Sequence, residues 1–271
     1  MKKFIYSLLA LMAFTFGVLT LTACGDDDNS GNSGGGGGGG TPSIGAFQGA
    51  KRVFSKALVT GIANSHQTIS LIYDANGFLL KVIETKSSGT KTANITYAEN
   101  KISVVWTRDY GTSSSMIVNI GSNGFASGGE FREGNGSVEP FEFEYNSDNR
   151  LSKVKWNGQD EVTEFTYTNG DNVISTVYND GSLSKTYNIS YSSYNNTFLV
   201  QPEFMGADLD DIGTLLGFAG ALGYPTAHLI SSRTSSSSGS TSTYIWTVNS
   251  AGIPTQLVTD GVASTISFIE I

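Results

Sequence analysis

The side chains able to do chemistry are few. The 271-residue chain holds two histidines, His66 and His228, and one cysteine, Cys24. Neither histidine sits at a spacing that suits a metal-ligand set or a nucleophile and its base. His66 precedes a strand pattern and His228 follows a helical one, so a surface or capping role is expected of each. Carboxylates cluster as Glu130 with Glu133, Glu139 with Glu142 and Glu144, and Asp160 with Glu161 and Glu164. A pair of carboxyl groups flanking a glycosidic bond can hydrolyse it, which makes a glycan-active hydrolase one reading of these clusters. The other reading is structural. Glu142 and Glu144 alternate with Phe141, Phe143 and Tyr145, and Glu164 with its own aromatic neighbours, which puts these acids on the solvated face of a sheet. Trp106, Trp156 and Trp246 occupy mostly the apolar phase and are expected in the core first; with the tyrosines they would line a pocket for a glycan, lipid or peptide if the sheet leaves its concavity unfilled. No EF-hand, phosphate loop, nucleophile elbow or cysteine-histidine cluster occurs, so no catalytic residue, metal or cofactor is assigned.

The element that positions these residues is a repeated hairpin. In FEFEYNSDNRLSKVKWN (141 to 157), aromatics and carboxylates alternate, a turn of Asn and Asp follows, and Leu151, Val154 and Trp156 return. Side chains of a strand point alternately to opposite faces, and Asn tolerates the positive φ of a tight turn. The same unit recurs at 67 to 85, 93 to 107, 115 to 131, 162 to 178, 185 to 200 and 243 to 260, with turn centres near Gly77, Asn100, Gly124, Asn149, Gly170 and Asn195. Such spacing suits neighbouring antiparallel strands, because a parallel crossover needs a dozen or more residues. An extra strand is expected from Arg52 to Thr60, another from His228 to Arg233, and a last one from Ser264 to Ile271; the serine-rich run 231 to 243 reads as a loop.

One segment breaks the pattern. In 206 to 225, Leu209, Ile212, Leu216, Ala219 and Leu222 fall at helical spacing, Asp208 is placed as N-cap with Asp210 and Asp211 in the first turn, and Gly223 and Pro225 mark the stop. The predicted helix, 208 to 222, is apolar almost all round and should be buried. Gly213, Gly217 and Gly220 share one stripe, and each costs about 1 kcal/mol against alanine, so close packing must offset them. The fold class that follows is mainly β: a long antiparallel meander, curved into a half-barrel, wrapped around one helix.

The N-terminus reads as an address. Lys2 and Lys3 precede an apolar run from Phe4 to Leu21, and small residues lead to Cys24. Leu21-Thr22-Ala23-Cys24 resembles a lipobox, which implies cleavage after residue 23 and a diacylglycerol on the Cys24 thiol, with membrane anchorage through that lipid; the alternative is an ordinary secretory signal with an incidental cysteine. Residues 25 to 40, GDDDNSGNSGGGGGGG, have nothing apolar to bury and form a tether with a reach on the order of 20 Å. The triplet Asp26, Asp27 and Asp28 is similar to a signal that exports lipoproteins to the outer face of the outer membrane, or else is a solubilising spacer. The domain layout is therefore a signal at 1 to 23, lipidated cysteine and tether at 24 to 46, and one β-rich domain at 47 to 271. Loss of Lys2 and Lys3 with the signal takes the formal charge from −8 to −10, which disfavours nucleic acid as a partner.

YDANGFLLKV (73 to 82), YNSDNRLSKV (145 to 154), GYP (223 to 225) and YIWTVNSAGIPTQL (244 to 257), together with the lipobox and tether, resemble a domain-of-unknown-function family of surface lipoproteins from gut anaerobes whose fold is described as porin-like. A weaker likeness is to Tyr-Asp repeat proteins. The family resemblance implies an outer-membrane, lipid-anchored protein facing the cell exterior and implies no activity, so a non-enzymatic binding protein and a purely structural envelope protein both stand beside the hydrolase. Integral insertion is not expected, because bilayer-crossing strands need about 9 to 11 residues with an apolar outer band.

Overall fold

The alternation read in the sequence becomes a closed structure. A computed structural model describes residues 45–109, 113–156, 160–197 and 212–271, and these form one antiparallel barrel. Cys24, the signal, most of the tether, and Asp208, Asp210 and Asp211 lie outside the described residues. The strands are β1 (Ala57–Ala63), β2 (Gln67–Tyr73), β3 (Leu79–Lys86), β4 (Gly89–Ala98), β5 (Lys101–Arg108) and β6 (Ser114–Ile120). Then come β7 (Ala126–Arg132), β8 (Val138–Tyr145), β9 (Leu151–Trp156), β10 (Glu161–Thr168), β11 (Asp171–Asn179) and β12 (Ser182–Asn195). After the helix α1 (Ile212–Phe218) follow β13 (His228–Ser235), β14 (Thr241–Val248), β15 (Pro254–Thr259) and β16 (Val262–Glu270).

Each strand pairs with its sequence neighbours, and β1 pairs with β16 from Ala57↔Glu270 to Ala63↔Thr265. This seam corrects the expected half-barrel. An open sheet leaves two rows of unpaired N–H and C=O groups, whereas an even number of up-and-down strands brings the first and last together antiparallel and satisfies both rows. No local residue pattern marks such a long-range pairing.

Three further expectations shift. Ala50–Arg52 is a 3-10 turn, and the first strand begins only at Ala57. Residues 185 to 195 belong to one long strand, β12, so Asn195 is not a hairpin turn but the last residue of the strand, paired with His228 of β13. The serine-rich run is not a loop throughout: β13 reaches Ser235 and β14 starts at Thr241, with Thr234 Oγ1 and Thr241 Oγ1 2.9 Å apart. Thr carries its own strand preference, which the low complexity of the run had masked.

The turns explain the repeated signature. Asp74, Asn146 and Asn249 each open a five-residue turn and accept two backbone N–H groups on one side-chain oxygen, from Asn76 and Phe78, from Asp148 and Arg150, and from Ala251 and Ile253. The fourth residue has positive φ, 87° at Gly77, 56° at Asn149 and 78° at Gly252, which is why only Gly or Asn stands there.

At the same end of the barrel, inward aromatics near several turns reach across to a neighbouring strand. Tyr97 donates to the Leu79 carbonyl at 2.8 Å, Tyr145 to Ala126 at 2.7 Å, Tyr167 to Leu151 at 2.8 Å, and Tyr191 to Asn172 at 2.7 Å. Trp246 Nε1 does the same to Ile230 at 2.6 Å. This end is plugged. Helix α1 is buried on nearly every side in the same core as Phe141, Phe143 and Trp106. It stops three residues earlier than expected, at Gly220 (φ 74°), where Ala221 N–H bonds to the Leu216 carbonyl and Gly220 N–H to that of Gly217. That is a Schellman stop. A Cβ on Gly220 would lie 2.7 Å from Ala50 Cα, so the close approach expected of the glycine stripe falls here, against the N-terminal segment. Residues 219 to 227 then run over the turns: Ala126 N–H bonds to the Ala221 carbonyl, Tyr224 N–H to Asn149, and Ala227 N–H to Gly170.

The N-terminal segment stitches the same end. Lys51 Nζ donates to the Ala75 carbonyl, Arg52 to Asn123, and Lys56 Nζ to Ala251, each at 2.8 Å, and Arg52 stacks 4.3 Å above the Phe125 ring. Phe47 and Phe54 are buried beside the helix.

Replacing Tyr145 by Phe should cost about 1 kcal/mol of unfolding free energy in denaturant melts, because the Ala126 carbonyl loses its donor. Burial also holds the hydroxyls of Tyr73, Tyr97 and Tyr145 well above the ordinary tyrosine value of 10.0. A raised folded pKa means stability present below pH 10 and lost as pH rises further. Alkaline titration followed by tyrosinate absorbance should show these three ionising only with unfolding.

Candidate functional site

Direction along the strands separates two faces and two ends. On the outside, Glu142 and Glu144 face Lys155 and Lys153 across β8 and β9, and Lys153 also meets Glu164 of β10. Lys155 Nζ lies 2.6 Å from Glu144 and 3.2 Å from Glu142, and Lys153 Nζ lies 2.8 Å from Glu164. Thr68, Thr96, Thr107, Thr166, Thr243 and Thr247 continue an exposed, largely polar outer surface. Inside, Leu79, Ile102, Met116, Phe141 and Leu151 are almost wholly buried. The barrel is thus apolar within and mixed without, since outward Ile72, Val105, Ile117 and Ile245 are exposed among these polar residues. The acids Glu142, Glu144 and Glu164 stand on the solvated face, as their alternation with aromatics requires.

The two ends differ. Opposite the plug, the described connections are short turns, and the inward side chains of the last rungs are only half-buried. Glu139 shares the parity of Phe141 and accepts the Trp156 indole N–H at 3.2 Å. Trp156 stacks on Phe141 with centroids 5.6 Å apart and planes at 12°. Glu161 directly opposes Trp156 and therefore shares its inward face. Further round the wall, Lys185 lies 5.6 Å and Arg233 4.6 Å from the centre of the Tyr187 ring. Lys91 lies 5.7 Å from the centre of Trp106 and stands directly opposite Arg108. Glu84 and Lys86 pair at 2.7 Å. One rung deeper the wall closes over: Trp106, Thr163, Val177 and Tyr244 are buried. The site is a ring of charge and aromatics above the packed core.

Grouping the acids by sequence proximity joined residues that the strand splits. Glu139 faces in while Glu142 and Glu144 face out, and Glu161 faces in while Glu164 faces out. Parity with Phe141 and Phe165 was the available signal. The tryptophans also divide: Trp106 and Trp246 are core, and Trp156 is half-exposed at the rim. His66 lies in the β1–β2 turn, whereas the Nδ1 of His228 is 2.8 Å from Asp171 Oδ2 and the backbone N–H of His228 donates to Oδ1 of the same carboxylate. That pair ties the start of β13 to β11, a cap with a partner 57 residues away that spacing does not reveal. Among the described residues no group of three His, Cys, Asp or Glu is placed to hold a metal ion. No described helix is long and apolar enough to cross a membrane.

Comparison with known proteins agrees with this geometry. A family model described as a domain of unknown function (DUF4595) with porin-like fold matches residues 73–256. The crystal structure of a porin-like protein from Bacteroides uniformis superposes with a TM-score of 0.61 at 18% identity, covering 80% of this chain and 98% of that one. A porin-like protein from Bacteroides vulgatus aligns with a TM-score of 0.49 at 13% identity over 78% of this chain and 98% of its own. No curated protein matches.

The outer charge ladder gives a pH test. The hydrogen bond from Lys155, followed by the Lys155 and Lys153 charges, holds Glu144 below its ordinary value of 4.5. A lowered folded pKa contributes stability above pH 4.5 that is lost as the pH falls through the folded value. Glu144 is largely in water, so the effect should stay below about 1 kcal/mol. Urea melts between pH 6 and 3 should show Glu144→Gln flattening the acid loss, and 1 M salt should erase the difference from wild type.

Proposed function

Because the chain belongs to this porin-like family of unknown function, we propose that it is a non-enzymatic binding protein of the bacterial envelope, held to the outer membrane by lipid on Cys24 and facing the cell exterior. The observation that carries the reading is the polarity of the barrel. A membrane-spanning barrel turns an apolar band about 25 Å tall toward lipid, and each Lys or Arg at mid-depth of that band costs about 2 to 4 kcal/mol. Here the outward positions of β8, β9 and β10 hold Glu142, Glu144, Lys153, Lys155 and Glu164, which interrupt any apolar band that outward Ile72, Val105, Ile117 and Ile245 on other strands could make, while the packed apolar core lies inside. The barrel suits water, and a separate anchor then has a purpose.

Where that anchor would attach follows from the fold. Residues 45 to 56 cross the plugged end, stitched there by Lys51, Arg52 and Lys56. A tether leading back to Cys24 would join the barrel at that end, opposite the charged and aromatic rim. The inward Glu139 and Glu161 beside Trp156 are the one arrangement that favours a second reading, glycan hydrolysis.

Cell fractionation tests the anchorage. A palmitate analogue should label the wild type and not Cys24→Ala, and the variant should move to the soluble fraction with its thermal unfolding unchanged. A variant that stays in the membrane would mean that the barrel itself inserts. Protease added to intact cells should reach the wild type if it faces outward.

A further inference from the structure

Trp156 is a fixed plate with one face in use. Phe141 of β8 stacks on it with planes at 12°, and its indole N–H donates to Glu139 Oε2 at 3.2 Å. The other face turns toward β10, where Glu161 stands directly opposite Trp156, and the side chain stays half-buried. An indole N–H donated to an anion is polarised toward it, which enriches the ring in electron density. The face of a Trp ring is already the best aromatic partner for a cation.

The charges around this plate have one sign. Among the described residues of β8, β9 and β10, the charged side chains turned inward are Glu139 and Glu161, while the lysines of these strands, Lys153 and Lys155, face out. Arg132 of the neighbouring β7 faces out opposite Val138. Round the wall the other way, the first inward cation is Lys185 of β12, two strand spacings or about 10 Å from β10. Its Nζ lies 5.6 Å from the centre of the Tyr187 ring. The turns beside the plate add two more acids, Glu133 and Asp160. A carboxylate offers about four lone-pair directions on two oxygens, so the bond to Trp156 leaves Glu139 able to accept again.

We infer that this sector of the open end binds a primary ammonium group, the cationic end of an alkylamine or of a lysine side chain. The group seats on the uncovered face of Trp156 and donates to Glu139 and Glu161. An ammonium has three donors, which two carboxylates and a π face use together. A quaternary ammonium would keep the ring and lose both hydrogen bonds, and a neutral alcohol would lose the charge. An anion would meet two carboxylates. The formal charge of −8 draws cations toward the molecule from further out. This inference rests on the binding-protein reading and adds the ligand class to it.

The test is an NMR titration of the mature, isotope-labelled, lipid-bearing protein in non-ionic detergent micelles, followed through the backbone N–H signals of β9 and β10 and the Trp156 indole N–H. Butylammonium should shift these signals saturably, and less tightly as salt rises. Butanol should bind at least about tenfold more weakly, and tetramethylammonium several-fold more weakly. Nα-acetyl-lysine amide separates the two sources: binding tighter than butylammonium assigns a lysine side chain, and weaker binding a free amine. Glu139→Gln, Glu161→Gln and Trp156→Leu should each weaken butylammonium binding at least about fivefold, while outward Glu142→Gln should leave it unchanged. The two inward glutamine variants keep the side-chain shape, so they decide the matter if Trp156→Leu does not fold. No saturable shift, equal affinity for butanol or tetramethylammonium, or wild-type affinity in both inward glutamine variants would overturn the inference and leave the Cys24 anchorage standing. A Cys24→Ala protein retained in the membrane fraction would overturn the anchored reading and leave the ammonium site standing.

Discussion

The pairing of β1 with β16 is the constraint on which everything else depends. Once the sheet closes, its inward face encloses a volume that the same sixteen strands cannot leave to water, because in a typical porin of this strand number the lumen is polar and here it is apolar. A dry lumen of that size must be filled. Helix α1, Phe47 and Phe54 of the N-terminal segment, and the inward aromatics of the strands do so. The helix glycines then stop being a weakness: Gly220 lets backbone meet backbone where a Cβ would collide with Ala50.

Filling an apolar lumen from one end sets a problem of polar satisfaction, since the plug brings carbonyls with it. The inward tyrosines meet part of that demand. Tyr73 donates to the Phe218 carbonyl at 3.2 Å, and the Tyr145 hydroxyl lies 3.3 Å from the Ala221 carbonyl as well as bonding Ala126. A tyrosine there is both packing and donor, and Phe would supply only the first. The Tyr recurring near the end of β2, β4, β8, β10 and β12 is thus a device for joining hairpin to hairpin and wall to plug.

Much of this was legible. Parity placed Phe143 in the core and Glu142 and Glu144 in water, and the Asn, Asp and Gly of 74 to 77, 146 to 149 and 249 to 252 marked turns whose geometry requires them. Local rules suffice where both partners are local. Closure was not legible, because Ala57 and Glu270 are separated by almost the whole domain. The helix stop was misplaced for a related reason. Gly223 and Pro225 look like a terminus, but Gly220 meets Ala50 of a distant segment, and that contact decided where the chain turned. The cap of His228 by Asp171 is a third case, set by which hairpin lies beside the returning strand.

The candidate site occupies the end that the plug leaves bare, and that asymmetry has a physical basis. At the plugged end, turn carbonyls are already taken by Lys51, Arg52 and Lys56, and inward hydroxyls by neighbouring strands. Arg150 is the exception, with Nε and Nη1 buried and without a partner among the described residues. At the rim, Arg233 Nη1 has no partner among the described residues, and Trp156 is held by Phe141 and Glu139 while only half-buried. A protein gains nothing in stability from a buried donor without a partner, which costs about 1 to 3 kcal/mol. The same closure that seals one end of the barrel with the helix and the N-terminal segment leaves the inward side chains of the other end half-buried.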